Sequence, residues 1–409
     1  MGRLDSWRAA ARHSPRLWGL VGIVVVALVA SGIVYVTTRS TPTRPSSPPS
    51  TRAVALGDSV PYGHGLANPY LTPQVGLPTT AVSEGPSALA YPTAVAKAIG
   101  LTMAVRPTNC NLVGDQLAIS GAVADADDNT GRDGQCPHPP QQARNLSDEI
   151  AAAQLDRHPA RLVLLQDGAD DIHFSACLEY QLARVANVNI GLGTACTADG
   201  DVTPQLAVEL ARVRSSLAQA IEAVAPHTKT VAVLDYYQPI PSPNEIADHT
   251  GLSNLHTNLV CAGLKSNAAS TDAAAQLVLA ALNESIAAAV SDARAHHVTN
   301  VTLVDIAHAT DGHGVCTADP WVYSGEPVPD ATLAADTEHI LAAKACTGTD
   351  VLHGPSVCSS LAAAANNAES NLQGYVWRAA HPNAAGQRAI AADVVARLKA
   401  SATSSKSAP

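Results

Sequence analysis

Short apolar runs alternate with stretches of helical periodicity along most of this chain, and that alternation limits the fold more than any other feature. The runs are Ala53–Gly57, Leu101–Val105, Arg161–Gln166, Thr230–Leu234 and Val301–Ile306. Each has strand length, is too brief for a helix and is bounded by turn residues. Ser87–Gly100 reads as a helix interrupted in its early part by Pro92, and Asn145–Leu155 as another. Thr203-Pro204 reads as the N-cap and first residue of a helix. Leu206, Leu210, Val213, Leu217, Ile221 and Val224 then recur at helical spacing until Pro226. Ser270–His296 is a long Ala-rich helix capped by Ser270 or Thr271, and Ala384–Lys399 is the last, amphipathic one. Strands alternating with helices imply βαβ units and a parallel sheet covered on both faces. No internal repeat and no composition break divides residues 52–400, which read as one α/β domain with long loops.

Of 409 residues, 46% are hydrophobic and only 3% aromatic, so the core must be built from aliphatic side chains. A net charge of -10 without a long Lys/Arg run argues against a nucleic-acid partner. The eight cysteines form no Cys-x-x-Cys pair. An even, scattered set suits disulfides in an oxidising compartment, with buried free thiols as the other reading. Residues 1–16 carry Arg3, Arg8, Arg12 and Arg16, and residues 17–36 are an uncharged apolar run long enough to span a bilayer. The basic flank keeps the N-terminus in the cytoplasm. An uncleaved transmembrane anchor is the favoured reading, because signal-peptide apolar regions are usually shorter. Ala30-Ser31-Gly32 offers a cleavage site for the other. Either way the remainder is exported, anchored to the membrane or secreted. Residues 37–51 are a Pro/Ser-rich spacer, and residues 401–409 a polar, disordered tail.

The first strand runs into Gly57-Asp58-Ser59-Val60-Pro61-Tyr62-Gly63, which reads as a loop. Open α/β sheets place ligands beyond the carboxyl ends of their strands, where Ser59 would sit. A serine hydroxyl needs a base to act as a nucleophile at neutral pH. His381, in His381-Pro382-Asn383 just before the last helix, could return to that edge. Gln166-Asp167-Gly168-Ala169-Asp170-Asp171 puts polar groups at the same edge. Ile119-Ser120-Gly121-Ala122 offers a small-residue turn whose backbone N–H could hold a substrate oxygen. His308 and His313, with Asp305 and Asp311 near them, could suggest a metal, but those spacings on a loop favour a plain structural reading. Asn145, Asn283 and Asn300 open glycosylation sequons, a pattern common by chance.

Gly57-Asp58-Ser59, Ser120-Gly121, Gly168-Ala169-Asp170-Asp171 and His381-Pro382, in this order, resemble the SGNH (also called GDSL) hydrolase family. The type is that of exported bacterial esterases and lipases. Ala385-Gly386-Gln387 after His-Pro also looks like the family's last helix. The resemblance implies a flavodoxin-like three-layer α/β/α sandwich. It implies Ser59 as nucleophile and His381 as general base. The oxyanion hole would be made by the N–H groups of Ser59 and Gly121 and the side chain of Asp170. It implies hydrolysis of a carboxylic ester, in an acyl lipid or acylated sugar, through an acyl-serine, with no cofactor and no metal. Family members often pair cysteines with their neighbours along the chain. That implies Cys110–Cys136, Cys177–Cys196, Cys261–Cys316 and Cys346–Cys358.

Two positions depart from the family. It usually has Asn where this chain has Asp170, and an ionised Asp accepts hydrogen bonds but donates none. With Asp167 and Asp171 as neighbours, Asp170 is expected to be neutral in an active form or to turn its charge away. The family also carries Asp three residues before the histidine, where this chain has Arg378. A backbone carbonyl would then hold the imidazole, making a Ser-His dyad. The alternative is an inactive cell-surface binding protein on the same scaffold.

Overall fold

The structure, a computed structural model, describes residues 50–63, 66, 88–105, 115–118, 124, 145–174, 177, 196–198, 200–247, 255–323 and 380–404. The expected membrane segment at 17–36, the linker to residue 49, Ser120, Gly121, Arg378, Cys110, Cys136, Cys346 and Cys358 lie outside these.

In chain order the elements are β1 (Ala53–Gly57), α1 (Ser59–Tyr62), α2 (Tyr91–Ala98), α3 (Leu146–Ala153) and β2 (Ala160–Gln166). There follow a minimal hairpin of β3 (Thr197–Ala198) and β4 (Asp201–Val202), then α4 (Pro204–Val224), β5 (Thr228–Leu234), α5 (Leu255–Ala295), β6 (Val301–Val304) and α6 (Ala384–Ser404). The four long strands form one sheet in the order β1-β2-β5-β6, every pair parallel. Strands buried on both faces must be apolar at nearly every position. β1 is buried throughout, as is β2 apart from Arg161. The register sets Gly57 opposite Gln166, Leu165 opposite Val233, and Leu234 opposite Val304. The carboxyl ends of all four strands are therefore level along one edge.

The run at Leu101–Val105 is not a strand of its own. Thr102 makes a single parallel bridge to Arg52, and the place beside β1 is then taken by Gln116, which bridges Ala55. Asp115 explains the break. Its N–H donates to Ala104 O (2.8 Å), its carboxylate accepts from Ala104 N–H (2.8 Å), and it pairs with Arg52. The two short pieces at 102 and 116 share the outer edge of β1.

Helix α2 packs on α6, α3 on β1 and α4, and α4 on α5. Every α4 position expected to face the core is buried, and Thr203 Oγ1 accepts from Leu206 N–H. Pro92 does not interrupt α2. It lies in the first turn, where a backbone N–H has no acceptor anyway. Helix α5 starts fifteen residues before the expected cap at Ser270, at Leu255. Cys261 and Leu264 are buried there, and tertiary packing overrides the weak helix propensity of the Asn and Ser residues around it. Residues Ala273–Ala295 are long and apolar enough to cross a membrane. In this fold Val278, Leu282, Ile286, Ala289 and Ala293 are buried in the core, which accounts for that composition.

Candidate active site

The turn after β1 is built by three residues with separate tasks. Gly57 has φ +123°, and a Cβ there would lie 1.8 Å from Gln166 O, so only glycine lets β1 run this close to β2. Its N–H donates to Glu149 Oε2 (2.6 Å), and Asp58 N–H to Gln166 O (3.0 Å). Asp58 then caps a single helical turn by accepting from Val60 N–H (3.0 Å). Ser59 is thus not on an open loop, as the sequence suggests, but is the first residue of α1. Its N–H has no acceptor inside that turn. Gly63 closes the turn in the left-handed region. Two buried amides satisfy the carbonyls a short helix leaves open. Gln387 Nε2 donates to Val60 O (3.1 Å), and Gln116 Nε2 to Pro61 O.

His381 arrives from the other end of the chain on an antiparallel bridge between Val322 and Pro382. Tyr323 N–H donates to His381 O and Ala380 N–H to Tyr323 O, both at 2.9 Å. Asn383 caps α6, its Oδ1 accepting from Ala385 and Gly386 N–H, while its Nδ2 donates to Pro320 O. A Cβ on Gly386 would lie 2.4 Å from Trp321 O, so this glycine lets α6 press against that segment. The outcome is His381 Nε2 2.7 Å from Ser59 Oγ, across 322 positions of sequence.

Both described cysteine pairs are joined as the resemblance implies, Cys177–Cys196 (Cα–Cα 5.6 Å) and Cys261–Cys316 (5.5 Å). The first ties the segment after Asp170 to the residues leading into α4. The second ties α5 to the 305–323 loop that carries the His381 bridge.

The segment after β2 reaches the same edge. Gly168 (φ +125°) turns the chain where a Cβ would meet the Val213 side chain at 2.9 Å. Asp167 is buried, and its Oδ1 accepts from Gly168 N–H (2.8 Å). Asp171 Oδ2 accepts from Ala124 N–H (2.8 Å). Crowded carboxylates raise one another's pKa, and burial adds to this. Asp58 and Asp167 bear it, whereas the sequence reading looked for it at Asp170. Burial pushes Asp58 up to about 7, helped by the Asp171 charge and opposed by the Tyr236 and Val60 hydrogen bonds. Burial and the charges of Asp171, Asp58, Glu149 and Asp170 hold Asp167 well above the usual carboxylate range. Asp170 itself is half-buried in the bend beyond them, its O accepting from His173 N–H (3.0 Å).

Sequence reasoning also missed Tyr236 and Tyr237, which lie just beyond β5, after Asp235. Both are buried. The signal was available, since they stand at the carboxyl end of a strand, as Ser59 does. The three sequon asparagines have structural tasks. Asn145 caps α3, Asn283 binds the Tyr236 backbone, and Asn300 Nδ2 donates to Ala225 O and Thr228 O. His308 pairs with Asp311 at the surface (2.9 Å), and His313 stacks on Trp321 with its Nδ1 donating to Asp319 O. No family model and no curated protein matches the chain.

Proposed function

We propose that this protein is a serine ester hydrolase of the SGNH type, with Ser59 as nucleophile and His381 as general base. The observation that carries the reading is the 2.7 Å approach of His381 Nε2 to Ser59 Oγ at the carboxyl edge of a parallel sheet. Counting the shared piece at 102 and 116 as the outermost position, the strands follow the order 2-1-3-4-5. This supports a flavodoxin-like sandwich. The separate helix groups, α2–α6 and α3–α4–α5, suit helices on both faces. In such an order the ligand crevice opens between the first and third strands, here β1 and β2, whose ends carry Ser59 and Asp170.

His381 takes the Ser59 proton as Oγ attacks the ester carbonyl carbon. The oxyanion forms against the Ser59 N–H and the Gly121 N–H. Collapse expels the alcohol, which leaves with the proton from His381, and water then cleaves the acyl-serine by the same route. The substrate is a carboxylic ester of a lipid or acylated sugar, and no cofactor enters. Two disulfides support an exported domain, and residues 17–36 would hold it to the membrane.

One observation favours the inactive-scaffold alternative. Asp170 adds a carboxylate to a corner that already holds Asp58, Asp167 and Asp171. A fluorophosphonate probe separates the readings, because only an activated serine is labelled. The enzyme reading expects labelling that Ser59→Ala abolishes and His381→Ala slows by several orders of magnitude, about 10⁴-fold. Wild-type protein that is folded, unlabelled and inert towards a short p-nitrophenyl ester would refute it.

A further inference from the structure

In a chain this poor in aromatics, four of the five described tyrosines are buried, namely Tyr62, Tyr91, Tyr236 and Tyr237. Two of them are consecutive, and their hydroxyls reach opposite halves of the candidate site. Tyr236 OH donates to Asp58 Oδ2, on the residue preceding Ser59, and accepts from Ala169 N–H (3.2 Å), on the residue preceding Asp170. Tyr237 OH donates to Ala380 O (2.6 Å), on the residue preceding His381. The dipeptide is itself held. Asn283 of α5 forms a two-bond clasp with the Tyr236 backbone, accepting from its N–H (2.9 Å) and donating to its O (2.8 Å).

We propose that Tyr236 and Tyr237 are the positioning residues that set the distance between Ser59 and His381, one hydroxyl fixing the serine turn and the other the histidine segment. The geometry requires some such link. Ser59 hangs from β1 and His381 from a segment 322 positions away, with no strand pairing between them among the described residues. The serine turn is held at Pro61 O by Gln116, and the His381 backbone O accepts from Tyr323 N–H. Gln387 ties α6 to the serine turn but holds the carbonyl of Val60, six residues in chain order past His381 on its own side. Among the described residues, the tyrosine pair alone grips the residue directly before both partners from one strand end. Adjacent residues leaving a strand point to different sides, so one dipeptide can address both. Rigid placement matters because a misplacement of about 1 Å can cost about 10²-fold in rate.

The inference deepens the hydrolase reading and rests on it, but it also has a readout that needs no activity. The test uses the full chain with its disulfides intact, as wild type, Tyr236→Phe, Tyr237→Phe and the control Tyr91→Phe. Tyr91 OH is buried near Asp58 yet has no hydrogen-bond partner among the described residues. Hydrolysis of a short p-nitrophenyl ester is measured well below each melting temperature, per probe-titrated serine. Tyr236→Phe and Tyr237→Phe should each lower kcat by about 10–100-fold with KM within about twofold, while Tyr91→Phe keeps both. Crystal structures of the two variants should show the Oγ–Nε2 separation opened beyond hydrogen-bond reach, about 3.2 Å, in at least one. A retained 2.7 Å separation in both, or kcat within twofold of wild type in both, overturns the proposal. If the wild type is inert, the hydrolase reading fails and the separation alone decides. If a tyrosine variant does not fold, Asn283→Ala, which frees the Tyr236 backbone, is read by the same criteria.

Discussion

Asp235 offers a quantitative test of the electrostatics behind the site. It is the first residue after β5, its Oδ1 accepts from Ile306 N–H (2.7 Å), and its backbone O accepts from Gln166 Nε2 (2.8 Å). Only 6% of it is exposed, and burial pushes its carboxyl up to about 7, with the Asp305 charge adding to the rise. A carboxyl raised in the folded state binds its proton more tightly there than in the unfolded chain. Its contribution to stability is therefore complete below about pH 4 and is lost as pH rises through 7. A rise of about three units corresponds to about 4 kcal/mol between those limits. Asp235→Asn keeps the acceptor for Ile306 N–H and cannot ionise. The variant's own packing cost is the same at every pH, so the informative quantity is the change in the stability difference with pH. Denaturant unfolding of both proteins, disulfides intact, should show Asp235→Asn gaining on wild type by about 4 kcal/mol between pH 4 and pH 8. Asp58 and Asp167 remain in the variant, so its stability should still fall with pH, less steeply. Parallel stability curves for the two proteins would show that Asp235 is ionised without cost and would refute the reasoning.

Gly57→Ala should destabilise the fold by about 3–5 kcal/mol, combining a strained φ with loss of the Asp58–Gln166 contact, as read from the denaturation midpoint. A shift below about 1 kcal/mol would mean that β1 and β2 are not held this closely. Asp170→Asn should keep or raise kcat at neutral and alkaline pH, since a restored oxyanion donor is typically worth about 10²–10³ in rate. A folded variant inactive at every pH would remove Asp170 from the oxyanion site. Non-reducing peptide mapping should recover Cys177–Cys196 and Cys261–Cys316, and also Cys110–Cys136 and Cys346–Cys358. Free thiols or crossed pairs among the last four would contradict neighbour pairing.

Local chemistry by itself located the four strands of the parallel sheet and several helix ends. Fully buried parallel strands must be continuous apolar runs, so β2 and β5 were legible to within two residues at either end. Thr203-Pro204 announced α4, because an N-cap satisfies its own helix and needs nothing distant. The candidate serine and histidine were legible as positions, one after a strand and one before a helix. Their 2.7 Å meeting was not, because it depends on sheet register and on bridges that no local pattern encodes. The start of α5 was hidden for a similar reason, since its polar first turns are held by burial of Cys261 and Leu264 rather than by propensity. Asp115, which breaks the edge strand, acts through Arg52, sixty-three residues away. The charge balance of the site was decided by tertiary structure alone. The sequence placed three aspartates together at 167, 170 and 171. Folding brought Asp58 among them and buried it against Tyr236, and a carboxyl's pKa answers to the surroundings that only the folded chain assembles.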